Sequence, residues 1–337
     1  MREIYGFSSI KEEIIKNYKN NNLHHCNLIY GQKGIGKASF AYNISAFILS
    51  QKGNEEIFNN EIEKTYKLME SGGHTDFKIL DINTLDANEK ENTSKKGEIN
   101  VNQVRKVIDD IKLTPSIAKN KVLIIDSIDM VNVNGQNALL KTLEEPPKNT
   151  YIFLICHNMN KVIRTIQSRS NVIGVGSLDI ENWSKAFFSN EEMQSVELED
   201  EDIEGLYNLS DYSVGNAIEI VKNNAIDFYD NILNLLLNNN MLEIQKFAEK
   251  VNTIELFDLF SKFFDKIFQN LFESRYLIDE SKFYERRKEK IQNILKRYGI
   301  ERLLEKYEKG KKLLNDIDVY NLDKKHCITV LFNDLNK

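Results

Sequence analysis

Three cysteines, three prolines and a single tryptophan are all that 337 residues hold of these types. Cys26, Cys156 and Cys327 are odd in number and far apart. That excludes a disulfide framework, shows no zinc-ligand spacing, and points to a reducing compartment. The shortage of proline leaves long stretches without a helix breaker, and the abundance of Glu, Lys and Leu tips the chain toward helix. Positive charge is not in excess either. Lys and Arg number 45 against 51 Asp and Glu, a net charge of −6, so no global field draws the chain to nucleic acid, and any DNA contact must be local or supplied by partners. No apolar run approaches the length of about 18 residues that reads as a membrane span. The most apolar helix candidate, Leu256–Phe272, is interrupted by Asp258, Lys262, Asp265 and Lys266. The N-terminus carries no charged-then-apolar leader pattern, so the expectation is a cytoplasmic chain without a membrane partner.

What is present begins with Gly31-Gln32-Lys33-Gly34-Ile35-Gly36-Lys37-Ala38. Glycines at these spacings let backbone N–H groups converge on phosphate oxygens, and Lys37 would reach the terminal phosphates. Cys26–Tyr30 reads as a short strand leading in, and Ser39–Leu49 as a helix leading out, with Phe40, Ile44, Phe47 and Ile48 at core spacing. The loop is a candidate nucleotide site at Gly31, Gly34, Gly36, Lys37 and Ala38. Its alternative is a turn that merely packs a helix on a sheet. One position departs from a hydrolytic loop: a Ser or Thr hydroxyl should follow the lysine to ligate magnesium, and Ala38 stands there. Ser39 lies one position on, roughly 100° round the helix, and points elsewhere.

Along the chain, an amphipathic helix with Ile10, Ile14 and Ile15 on one face precedes the first strand. Residues Gln51–Gly73 are polar and unassigned, Phe77–Leu80 is a strand candidate, and Asp81–Gly97 reads as a surface loop. Asn100 with Gln103 predicts a capped helix that carries Val104, Val107, Ile108 and Ile111 and stops near Pro115. Lys121–Asp126 is the clearest buried strand, with four consecutive apolar residues suited to a parallel sheet covered on both faces. Asp126 ends it where open α/β sheets place their ligands. A helix through Ala138–Leu143 ends at Glu145, Tyr151–Cys156 is another buried strand, and Val162–Gln167 leads to Ser168-Arg169-Ser170. This alternation argues a doubly wound sheet. Strand signals then stop. Ile180–Phe188 looks helical, Glu197–Glu204 reads as an acidic connection, and Leu206–Asn223 as two short helices broken near Ser213-Val214-Gly215. From Ile226 on, long helices follow: Phe228–Leu237, Leu242–Val251, Glu255–Phe272, Lys282–Tyr298 and Ile300–Leu314.

Asp126 could hold a loop-bound magnesium, but a glutamate should follow it to polarise the attacking water, and Ser127 cannot act as that base. Asp129, the nearby carboxylate, reads better as a helix-start residue. Arg169 sits between two serines beyond a buried strand. From there it could project toward a neighbour's γ-phosphate, or be a solvated or ion-paired arginine. His24 and His25 have no partner cysteines and read as core or surface residues. The run from Arg286-Arg287-Lys288 to Lys296-Arg297 is interleaved with Glu285 and Glu289 and reads as a solvated helix face rather than a DNA groove.

The segment Asn137-Ala138-Leu139-Leu140-Lys141-Thr142-Leu143-Glu144-Glu145-Pro146-Pro147, followed by Ile166-Gln167-Ser168-Arg169-Ser170, resembles the bacterial DNA polymerase III clamp-loader subunits of the AAA+ family, delta-prime type. Val101–Arg105, Leu113-Thr114-Pro115 and Lys121–Asp126 fit the same pattern in the same order, over about residues 1–220. The resemblance implies an α/β then all-α architecture: a RecA-like AAA+ parallel-sheet domain (1–173), a small helical lid (174–224) and a C-terminal helical collar for oligomerisation (225–337). It implies a subunit of the polymerase III holoenzyme without ATPase activity of its own, with Ala38, Ser127 and Asn216 (in place of a nucleotide-sensing arginine) as matching losses. Its catalytic contribution would be Arg169, acting in trans as an arginine finger. Ser170 departs from the cysteine usual after that arginine. Implied partners are delta and gamma/tau subunits in a hetero-pentamer, with the sliding clamp and primer–template DNA reached through that complex. No cofactor is required, ATP binding at Gly31–Ala38 and Asp126 stays open, and the absence of cysteine from Gln51–Gly73 predicts no zinc. Two alternatives stand beside this: a catalytic gamma/tau-type ATPase subunit, and a free-standing P-loop nucleotide kinase, for which an acceptor pocket and an arginine-rich lid are wanting.

Overall fold

The computed structural model describes residues 4–51, 59–82, 98–238, 240–251, 253–273, 285–320 and 322–336. They form two compact units, one comprising Met1–Glu191 with Ser213–Gly215, the other Glu192–Tyr212 with Asn216–Lys337. The expected surface loop at Asp81–Gly97 falls almost wholly outside the described residues, as do the first residues of the expected Lys282–Tyr298 helix.

The first unit is built on a parallel sheet of five strands: β1 (Cys26–Tyr30), β2 (Phe77–Asp81), β3 (Lys121–Asp126), β4 (Thr150–Cys156) and β5 (Asn171–Gly174). They lie in the order β2-β3-β4-β1-β5. The strand side chains divide with period two. Leu123 and Ile125 of β3 face one apolar layer, with Leu28, Ile152 and Leu154. Val122 and Ile124 face the other, with Ile29, Phe153 and Ile155. The first layer is closed by α4 (Val101–Lys112) and α5 (Val133–Glu144), through Val104, Val107, Ile108, Ile111, Leu139 and Leu143. The second is closed by α1 (Ser8–Lys19), α2 (Lys37–Ser50) and α3 (Asn59–Glu70), through Ile14, Phe40, Ile44, Ile48, Tyr66 and Met69. A buried Val, Leu or Ile contributes roughly 1.5–3 kcal/mol, so these central strands anchor the unit.

Local signals account for most of these elements. Asn100 accepts from the N–H groups of Asn102 and Gln103, and the Gln103 side chain accepts in return from the Asn100 N–H, a complete capping box at the start of α4. Two elements were not anticipated. Residues Asn59–Glu70 form α3 within the polar stretch left unassigned, and β5 is a four-residue edge strand, mostly exposed, held by its register against β1. The region expected as an acidic connection is also corrected: Asp200–Leu209 is a helix. Its acidic first turn suits a helix N-terminus, where negative charge meets the positive end of the dipole.

Among its described residues the second unit holds helices and no strand, and residues 192–199 precede its first helix as turns and irregular chain. Val214–Lys222 (its first two residues counted with the first unit), Ala225–Asn238 and Met241–Lys250 precede the long helix Ile254–Glu273, and Lys288–Tyr298, Ile300–Tyr320 and Lys324–Asn336 follow. The long helix buries Phe257, Phe260, Phe263, Phe264 and Phe268. Tyr307 stacks on Phe264 and Phe268 at centroid distances of 6.1 and 5.3 Å. Lys324–Asn336 lies within the stretch expected to be helical to Lys337, after the last helix given bounds, and Phe332 packs its ring against Phe247 and Phe260.

Candidate functional site

Strand β1 delivers the chain to Gly31 at the carboxyl end of the sheet, and α2 begins at Lys37, so the strand–turn–helix context of the phosphate loop is present. Gly31 donates its N–H to Cys156 O at 3.2 Å. A Cβ on Gly31 would lie 2.4 Å from the Val175 carbonyl oxygen, a separation no side chain tolerates. Gly34 and Gly36 have φ of +81° and +95°, backbone that glycine adopts without penalty, and Gly36 is the N-cap of α2. Lys37 is only 2% exposed. Its Nζ donates to Gly31 O at 2.8 Å and to Gln32 O at 2.6 Å. Burial pushes its pKa down to about 8, with the Asp126 carboxylate working against that shift. Residues Ser213–Gly215, which belong to the same unit, close on the loop from outside. Ser213 Oγ donates to Lys33 O, and the Gly215 N–H to Gly34 O, both at 2.9 Å.

Asp126 ends β3 in register with Asp81 and Ile155. Burial pushes its carboxyl above the ordinary value, and the Lys37 charge pulls it back. The fold therefore brings the loop lysine and the strand-end carboxylate of the sequence pattern together. It does not complete a hydrolytic set. The first turn of α2 offers Ala38 where a hydroxyl is needed. The residue after Asp126 is Ser127, buried, with no hydrogen-bond partner for its Oγ among the described residues. Asp129 Oδ1 accepts the His157 backbone N–H at 2.9 Å, tying the turn after β3 to the end of β4. That is the work of a structural carboxylate. The donor set thus lacks the loop hydroxyl and the water-polarising acid, and it does not fit metal-assisted hydrolysis.

Arg169 stands just beyond the short helix α6 (Arg164–Gln167) and just before edge strand β5. Its side chain is 37% exposed. Nε donates to Glu144 Oε1 at 2.8 Å, and Nη2 lies 2.7 Å from the same oxygen as an ion pair, while Nη1 donates to Thr165 O at 3.2 Å and Ser168 Oγ at 3.3 Å. The neighbouring Ser170 faces inward. Its Oγ donates to Ile166 O at 2.8 Å and lies 3.2 Å from Cys26 Sγ, so the hydroxyl is used to seat the turn against β1. Sequence reasoning did not single out Glu144. The signal was available, because an acid in the last turn of a helix opposes the dipole.

The remaining candidates are structural. Asn216 donates its side-chain amide to Ser210 O at 3.2 Å, joining two helices of the second unit. His25 Nε2 lies 2.9 Å from Leu143 O, near the carboxyl end of α5, and His24 Nδ1 lies 2.7 Å from Cys26 O. No cluster of three or more His, Cys, Asp or Glu side chains suited to a metal occurs among the described residues. The start of the basic run is ion-paired: Arg286 with Glu199 at 2.9 Å, Arg287 with Asp230 at 2.6 Å, and Lys288 with Glu285 at 3.1 Å. No helix among the described residues is long and apolar enough to cross a membrane.

Known proteins share sequence with this chain. The family model described as "DNA polymerase III, delta subunit" matches residues 7–179. The DNA polymerase III subunit delta' of Buchnera aphidicola subsp. Baizongia pistaciae is 35% identical over 161 residues, 48% of this chain and 46% of that one. The DNA polymerase III subunit gamma of Buchnera aphidicola subsp. Schizaphis graminum is 29% identical over 174 residues, 50% of this chain and 42% of that one. The subunit delta' of the latter subspecies is 26% identical over 322 residues, covering 92% of this chain and 90% of that one. The chain thus spans less than half the length of two of these relatives and nearly all of the third.

Proposed function

The chain belongs to the DNA polymerase III delta-subunit family, and on that premise we propose that it serves as a delta-prime-type subunit of the clamp loader. In this role it is an assembly component that hydrolyses no ATP itself and lends Arg169 to the active site of a neighbouring gamma/tau-type ATPase subunit. Its partners are the delta and gamma/tau subunits of a hetero-pentameric complex, through which it acts on the sliding clamp and primer–template DNA. The three-part division into sheet domain, lid and collar belongs to the same proposal.

The observation that carries it is the contrast between the chain's two phosphate-directed cations. Lys37 is buried and spends its protons on carbonyls of its own loop. Arg169 presents a planar guanidinium, the group that matches phosphate oxygens best, at the surface beside an edge strand. An arginine reaching a neighbour's γ-phosphate stabilises charge that develops only in the transition state. The absence of both Ala38-site hydroxyl and post-Asp126 acid favours this over the gamma-type reading, although a gamma subunit is among the relatives.

The test is DNA-stimulated ATP turnover by the loader assembled from this chain with its delta and gamma/tau partners. Arg169→Ala lowers turnover at the site it completes by about 10³-fold or more, the range such arginines supply. Unchanged turnover in an assembled complex overturns the finger. Turnover by the chain alone, abolished in Lys37→Ala, overturns the non-hydrolysing role and restores the gamma/tau reading.

A further inference from the structure

We infer that Glu144 is the positioning residue for Arg169, an inference that rests on the proposed role of that arginine in a neighbour's site. Glu144 is the last residue of α5, and Glu145 follows as its C-cap. Two carboxylates at the negative end of a helix dipole break a local rule of helix design. Such violations are retained where they serve something beyond the helix itself. Here the neutralising charge is Arg169, from a segment 25 residues away in sequence.

The pairing geometry is one-sided. Glu144 Oε1 takes the Nε–H at 2.8 Å and sits 2.7 Å from Nη2 as the ion-pair contact. A fork-to-fork pair would have engaged both carboxylate oxygens and exhausted that edge of the guanidinium. The single-oxygen contact fixes the plane of the group and, among these hydrogen bonds, leaves Nη2 to donate to an outside acceptor. Nη1 is braced from behind by Thr165 O and Ser168 Oγ. Three anchors on two elements therefore set the direction of a side chain that would otherwise sample many rotamers. Both partners remain partly exposed, 37% for Arg169 and 51% for Glu144. A pair this open is weak as a stabilising interaction, so its value lies in orientation rather than in holding the fold together. Preorienting a donor toward developing charge raises the rate without tightening substrate binding.

The experiment is a double-mutant cycle in the assembled loader, with ATP turnover as the assay. Glu144→Gln keeps the side-chain shape and removes the charge. It lowers kcat about tenfold and leaves KM for ATP within about twofold, the signature of a misaimed transition-state donor. In an Arg169→Ala background the same substitution has no further effect. Glu144→Asp, with the carboxylate retained on a shorter arm, recovers part of the lost kcat. Melting of the isolated variants matches the parent, which separates aiming from folding. If Arg169→Ala lowers turnover and Glu144→Gln leaves kcat at the parent value, the positioning role is overturned while the arginine finger stands. If Glu144→Gln costs as much without Arg169 as with it, Glu144 acts through something else and the inference falls. If Arg169→Ala itself changes nothing, the finger fails first and the inference with it.

Discussion

Gly31→Ala separates the structural use of the phosphate loop from its inherited chemistry. The new methyl group would sit 2.4 Å from Val175 O and 3.0 Å from Ile35 Cδ1. The Ile35 side chain can turn away. The Val175 carbonyl belongs to backbone that leaves β5 bonded to β1, its N–H donating to Tyr30 O at 2.8 Å. Relieving the clash needs a shift approaching an ångström, which strains that bond and the one from Gly31 N–H to Cys156 O. Overpacking of this kind costs about 1–3 kcal/mol. A weakened hydrogen bond adds about 1 kcal/mol. Against this, alanine restricts the unfolded chain and favours folding by about 0.4–1 kcal/mol. The net expectation is a loss of about 1–3.6 kcal/mol, in a chain carrying no nucleotide. For a unit of this size that lowers the melting temperature by several degrees, at roughly 2–4 °C per kcal/mol. Gly176→Ala is the control, because a Cβ there meets nothing within 4 Å and should change stability by less than about 0.5 kcal/mol. Thermal and urea unfolding of both variants, with and without added ATP, measures the difference. Equal stability of the two variants, or a Gly31→Ala deficit that appears only with ATP, would refute the packing role of the loop.

Burial, aided by the Lys37 charge and opposed by Asp129, pushes His157 down to about 4 from its ordinary 6.5. The unfolded chain therefore binds the proton first as pH falls, and the stability tied to a neutral His157 is complete above pH 6.5 and lost progressively toward 4, by about 2 kcal/mol at pH 5. Urea midpoints measured between pH 7 and 5 should fall less steeply in His157→Gln than in the parent, with His74 and His25, also shifted down by burial, supplying the remaining slope. Asp76 accepts N–H groups from Ser116, Ile117 and Ala118 at 2.8, 2.6 and 2.8 Å. Burial alone would raise its pKa, but these donors outweigh it and hold the carboxyl below the usual range, so its stabilisation is present above pH 4 and lost only as pH falls through that lowered value. Asp76→Asn, which removes one of the two acceptor oxygens, should cost about 1–3 kcal/mol in urea unfolding at pH 7, with a loss under about 0.5 kcal/mol counting against the network.

Most of the sheet unit was legible because its determinants are local. The apolar run of β3, the capping pair Asn100 and Gln103, and the glycines between β1 and α2 each act within a few residues of themselves. The two missing hydrolytic groups were legible for the same reason, since Ala38 and Ser127 are identities rather than geometries. Strand β5 was not, because four mostly exposed residues ending in Gly174 carry no burial pattern and become a strand only by pairing with β1. The helix over Asp200–Leu209 was hidden by its acidic start, which in isolation reads as solvated chain.

Sequence by itself determined that a doubly wound sheet would carry a phosphate loop stripped of its hydrolytic partners, and that Arg169 would lie between two serines beyond the fourth buried strand. Only the tertiary structure decided what those groups touch. Lys37 turns onto the carbonyls of its own loop, Ser213–Gly215 closes over that loop from some 180 residues away, and Glu144 meets Arg169 at the end of α5. Hydrogen bonds and ion pairs are contacts of a few ångströms between residues that the chain keeps far apart, and no local pattern encodes them until the sheet has brought its strand ends together.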